Sequence, residues 1–192
     1  MVKRYYDTGI HYLFGQGALF IALFILGIVS GSIYAVLVRD NSMLFFTINQ
    51  YITLDYEVSS RWEVLKDSVF VYGKNLMLIW VGGLFSLTLA LSCIVFFIIC
   101  FSYGFTTSCF ILIYGFKGIG IGILAFGIQA IIIIFMGIYI GNMGIRYSVQ
   151  NKMEGMNEYI RVLIIMGIGI MLAAFVDAYI QPLMQKIIYL II

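Results

Sequence analysis

The chain has 192 residues, 63% hydrophobic and 10% charged, with 11 basic and 9 acidic side chains. Soluble domains run at about 45–50% apolar and about 25% charged, so a water-soluble globule is excluded. The net charge of +2 without any basic run argues against a nucleic-acid partner, and a single His (His11) leaves little for an enzyme built on His clusters.

A hydrocarbon core about 30 Å thick takes about 20 helical residues to cross. Five charge-poor stretches meet that length, at residues 12–38, 71–92, 94–115, 119–143 and 160–182, and together they predict an all-α integral membrane protein with a five-helix bundle. The first stretch follows Lys3 and Arg4 but greatly exceeds the about 7–15 apolar residues of a signal-peptide core. It is expected to be a retained anchor.

Residues 39–70 lie outside the predicted spans, and the chain from 39 to 75 holds nine of the twenty charges. That segment is too short for a catalytic domain with its own core. Ser60-Arg61-Trp62-Glu63 has the spacing of a capping box, which marks a helix start. Trp62, Leu65, Val69 and Tyr72 then fall on one helical face, with Glu63, Lys66 and Asp67 turned elsewhere. This pattern predicts a short amphipathic helix at the membrane surface, running into the second span. Its stripe packs either on the bundle or on a partner.

From Asn75 to Phe116 the chain carries 42 residues without a charge, enough for two helices, and the division is expected near Ala90–Val95. The next turn falls at Gly115-Phe116-Lys117-Gly118, where glycine permits positive φ and lysine marks an interface. Cys93, Cys100 and Cys109 lie within or beside these apolar runs and act as small hydrophobes. No metal or other cofactor is expected.

Helices already in lipid associate through close packing of small residues. Gly27/Gly31, Gly118/Gly122 and Gly137/Gly141 have the required spacing of four, as do Ser86/Ala90. These faces predict tight packing, either within the chain or in a homodimer. Asp177 is the one charge that interrupts the apolar run from Val162 to Gln185, and it shares a face with Ala173, Ala174 and Gln181. With Pro182 taken as the end of the last span, Asp177 lies about 7 Å below the surface at 1.5 Å per residue. A structural or anchoring role therefore leads a transport role. Gln129 and Asn142 are further polar groups within the fourth span.

No nucleophile elbow, zinc-helix, phosphate-loop or paired-carboxylate spacing occurs, so catalysis is not expected. With the N-terminus cytoplasmic, Lys3, Arg4, Arg146, Lys152 and Arg161 concentrate on one side in about half the loop length that the remaining six cations occupy outside. Orientation with the N-terminus inside is expected.

The run Ala173-Ala174-Phe175-Val176-Asp177-Ala178-Tyr179-Ile180-Gln181-Pro182 resembles the closing signature of the stage II sporulation protein M family. Phe70 with Asn75, Gly104-Phe105, Gly115 to Gly118 and Gly144-Ile145-Arg146-Tyr147-Ser148 follow the family's order over residues 62–182. Asp177 stands where glutamate is commoner, and Gln129 where the family often has Pro-His or Pro-Gln. The resemblance implies a non-enzymatic protein of a bacterial cell membrane that acts in forespore engulfment. It would hold two cell-wall hydrolases, stage II sporulation proteins D and P, at the septal membrane. A permease-like or channel subunit with a polar path near Asp177 is the alternative. Membrane lipid is a partner in either case.

Overall fold

The computed structural model describes residues 3–41, 43, 46, 60–149 and 152–191. Among them the chain is helical throughout its elements: α1 (Lys3–Leu37), α2 (Arg61–Gly82), α3 (Leu89–Tyr114), α4 (Phe116–Gly122), α5 (Ile128–Val149), α6 (Lys152–Phe175) and α7 (Gln181–Ile191). Two π-helical turns, Ile123–Gly127 and Val176–Ile180, join α4 to α5 and α6 to α7. The result is five helical stretches, the expected number. Four of them, Ala18–Leu37, Leu89–Tyr114, Phe116–Ser148 and Asn157–Ile188, are long and apolar enough to cross a membrane.

Three boundaries differ from the sequence expectation. The second helix starts at Arg61, so the predicted amphipathic segment is the first turns of α2 rather than a separate helix. Ser60 precedes it, yet its side chain makes no capping bond; its carbonyl accepts from the Glu63 and Val64 N–H groups. The turn expected near Ala90–Val95 lies at residues 83–88 instead. Hydroxyl groups fix it there: Thr88 Oγ1 donates to the Gly82 carbonyl at 3.0 Å and Ser92 Oγ to the Ile79 carbonyl at 2.6 Å. The third difference is at Pro182, where the helix continues to Ile191 rather than stopping. A proline inside a helix has no N–H for the carbonyl four residues back and crowds it. The π turn immediately before Pro182 widens the helix, with the Gln181 N–H reaching back five residues to the Val176 carbonyl.

Glycines set the closest helix contacts. Gly27 lies against Cys100 and Gly31 against the backbone of Phe101 and Phe105, while Gly104 meets the backbone of Ile28. Residue numbers rise together along both helices, so α1 and α3 run parallel. A Cβ at Gly27 would stand 2.6 Å from the Cys100 Cβ, and one at Gly31 would collide with the Phe101 carbonyl oxygen. Gly137 faces the Phe96 ring and Gly141 the Phe20 ring, and these two rings meet edge to face with centroids 5.2 Å apart. Gly118 sits on the Phe110 carbonyl across the α3–α4 hairpin, and Gly122 makes ordinary contact with Thr107 and Phe110. The hairpin turns on Gly115 at φ 61°.

The main core joins Phe20, Leu76, Ile79, Phe96, Ile133, Ile140, Val162 and Ala173. A second cluster of Phe110, Ile121, Ala125 and Ile188 forms where α7 covers the α3–α4 hairpin. Outside, α1, α3, α5 and α6 expose aliphatic side chains such as Leu26, Ile94, Ile131 and Ile164. The first turns of α2 differ, because Arg61, Glu63, Lys66, Asp67 and, further on, Lys74 are exposed there, while its second half exposes Val71, Met77, Leu78 and Val81.

Candidate functional site

α2 runs beside α6 and the second π turn and binds them at both of its ends. At one end, Ser68 and Tyr72 stand one helical turn apart, so their side chains share a face. Both hydroxyls donate to the same carboxylate oxygen, Asp177 Oδ2, at 2.8 Å from Ser68 and 2.5 Å from Tyr72. Asp177 is 6% exposed, and its Oδ1 has no partner among the described residues. Burial of such a group is costly unless it is hydrogen-bonded, so the two hydroxyls are what make the position tolerable. Ala173 and Ala174 are fully buried and Gln181 is 4% exposed, so the face shared with Asp177 points inward as expected.

At the other end the bonds are reciprocal. Tyr159 donates its hydroxyl to the Trp80 carbonyl at 2.5 Å, and Trp80 Nε1 donates to the Tyr159 carbonyl at 3.2 Å. The Tyr159 ring stacks on Trp80 at 5.1 Å and on Tyr147 at 4.7 Å. Gly83 and Gly144 meet beside this ring, since a Cβ on Gly144 would lie 2.9 Å from the Gly83 Cα. None of this second clamp was foreseen from the sequence. Its one visible signal was the Gly82-Gly83 pair.

A cavity of about 410 Å³ separates α2 from α3. Its walls are mainly aliphatic, with Tyr72, Asn75, Ser102 and Tyr103 as the polar groups. Tyr72 thus belongs both to the cavity wall and to the Asp177 cluster.

The predicted aromatic stripe divides. Val69 and Tyr72 pack against the core, and Leu65 lines the edge of an apolar groove with Ile164, Ile168 and Phe175. Trp62 remains 61% exposed, with the Lys66 ammonium 5.4 Å from its ring centroid. All six packing glycines contact other parts of this chain. Pro182 is half-buried beside the π turn. Gln129 is buried at the start of α5, while Asn142 lies thirteen residues on, about 20 Å away along the helix. These two amides therefore do not belong to one polar cluster. Neither Ser68 nor Tyr72 is paired with Asp177 by any sequence pattern; the fold brings both to it.

No family model, curated protein or solved structure matches this chain.

Proposed function

We propose that the chain is a multi-span protein of a bacterial cell membrane that serves as a non-enzymatic scaffold. Following the resemblance to stage II sporulation protein M, its partners are the cell-wall hydrolases D and P at the engulfing septal membrane. The outer face of α2 is the surface it offers them. The observation that carries this reading is the density of charge on the first part of α2, which exposes Arg61, Trp62, Glu63, Lys66, Asp67 and Lys74, whereas α6 exposes only Glu158 and Arg161 among its described charges and the faces of the long helices are otherwise mainly apolar. Hydrocarbon covers an aliphatic face adequately, whereas a charged one needs water, headgroups or protein against it.

The Asp177 cluster supports the same reading. It holds the first turns of α2 to the last helical stretch, so that the polar face is rigidly presented. With the N-terminus inside, that end of α2 lies on the outer side, where the hydrolases act.

The test is reciprocal co-purification. Tagged full-length chain from sporulating cells should recover both hydrolases, and the pair Trp62→Ala with Glu63→Lys should reduce recovery about tenfold at unchanged expression. Absence of both hydrolases from the unmodified chain would overturn the reading.

A further inference from the structure

The cavity between α2 and α3 contains two polar groups with nothing to bind. Of its four polar side chains, Tyr72 is committed to Asp177, and Ser102 Oγ donates to the Ile98 carbonyl at 2.9 Å. Asn75 and Tyr103 make no hydrogen bond among the described residues. The remaining walls are Val71, Leu78, Val95, Ile98, Ile99 and Ile133. Val71, Leu78 and Ile98 are exposed, so the cavity opens sideways on the bundle surface rather than toward either end.

On a chain that spans a bilayer, that mouth faces hydrocarbon. Water is scarce there, and an amide or phenol left unbonded costs free energy. What reaches the cavity is what dissolves in the membrane. No cation is among its walls; Lys74, next to the lining Asn75, is exposed beside the mouth. The Asp177 carboxylate lies behind Tyr72 and repels anions.

The geometry points to a binding site for an uncharged, membrane-dissolved molecule with an apolar body and a carbonyl acceptor, held by the Asn75 amide and the Tyr103 hydroxyl. Both side chains can donate to a carbonyl, and the aliphatic walls accept the body. Such a carbonyl is found both in the ester of a neutral glyceride and in the head of a prenyl quinone. The site rests on the membrane-spanning part of the proposed function but not on the hydrolase partners, so loss of the partners in co-purification would leave it standing.

The test uses purified full-length chain in detergent with two probes, dioctanoylglycerol and decylubiquinone. The readout is the saturable rise of the melting temperature, since a ligand that binds the native state stabilises it by mass action. At least one probe should give a saturable shift. A shift with the glyceride alone assigns a lipid source, and one with the quinone alone assigns a quinone. Tyr103→Phe removes one oxygen, and Asn75→Leu removes the amide at similar size; each should weaken binding about tenfold, the equivalent of one hydrogen bond. Ser102→Phe, at the mouth, should abolish it. The inference is overturned if neither probe gives a saturable shift, or if Tyr103→Phe binds as tightly as the unmodified chain. Because Tyr103→Phe keeps the ring, it decides the matter even where Asn75→Leu fails to fold.

Discussion

Tyr72 and Asp177 are 105 residues apart in sequence and share a 2.5 Å hydrogen bond, the phenol donating to the buried carboxylate. With Ser68 it forms a three-residue knot that fastens the start of α2 to the last helical stretch. Tyr72→Phe should cost about 1 kcal/mol, as should Ser68→Ala, because each removes one donor and leaves the other. Asp177→Ala should cost more than either, about 2–3 kcal/mol, since it strips the partner from both hydroxyls at once. Unfolding titrations in mixed detergent micelles measure all three. A double-mutant cycle on Ser68 and Tyr72 should show coupling, because both donate to one oxygen.

Gly31 should be intolerant of any side chain. A Cβ there meets the Phe101 carbonyl oxygen and the Phe105 amide, which are backbone atoms and cannot rotate away. Gly31→Val should cost about 3 kcal/mol or more through separation of α1 from α3. Gly73 and Gly120 have open space where a Cβ would go. Alanine at either position should raise stability by up to about 1 kcal/mol through helix propensity. Thermal melts of the four proteins in one detergent check the contrast.

The Trp80–Tyr159 clamp predicts a spectroscopic change. Tyr159→Phe removes the bond to the Trp80 carbonyl and keeps the stacked ring. It should cost about 1 kcal/mol and leave the Trp80 emission maximum nearly unchanged. Tyr159→Ala removes the stacking partner as well, and should shift that emission and cost about 3 kcal/mol or more. Trp62→Phe beforehand leaves Trp80 as the only emitter, since the chain has two tryptophans.

Pro182 and the π turn before it are coupled. Pro182→Ala supplies the missing N–H and removes the ring crowding, so the helix gains a backbone bond. Thermal stability should rise by about 1 kcal/mol or more if the π turn persists. If the turn instead relaxes to α geometry, Asp177 rotates away from Ser68 and Tyr72 and stability falls. Measuring the Tyr72→Phe penalty in the Pro182→Ala background separates the outcomes: it stays at about 1 kcal/mol in the first and vanishes in the second.

Most helices were legible in the sequence because a charge-free run of sufficient length marks a helix in an apolar chain; α2 was not marked in that way, since five charges lie along Arg61–Gly82 and only its last eight residues fall in the uncharged run. The glycine spacing of Gly27 and Gly31 was equally legible, but their partner was not, since no local pattern says that α1 meets Cys100 and Phe101. Division of the long uncharged run by length puts the turn near Ala90–Val95, whereas it lies at residues 83–88. The Gly82-Gly83 pair and Thr88 carried the better signal, with a hydroxyl at 3.0 Å from the Gly82 carbonyl. Asp177 stands out as the one charge in the apolar run Val162–Gln185, and its inward face follows from the alanines around it. Its donors do not, because a tertiary contact between distant residues leaves no periodicity. Pro182 reads as a stop in the sequence, and only the widened turn before it explains why the helix goes on.

The parallel pairing of α1 with α3 has a consequence for synthesis. α1 packs glycine to backbone on a helix that begins 52 residues after its own last residue, Leu37, with α2 made in between. A ribosome adds about 5–20 residues per second, so α1 waits for several seconds with its glycine face uncovered before α3 is complete. During that interval the two open glycines offer the same close approach to any other helix inserted nearby. Correct assembly therefore depends on the order in which segments arrive, and an insertion that lengthens the α1–α2 connection should lower the yield of folded protein without altering the stability of the molecules that succeed.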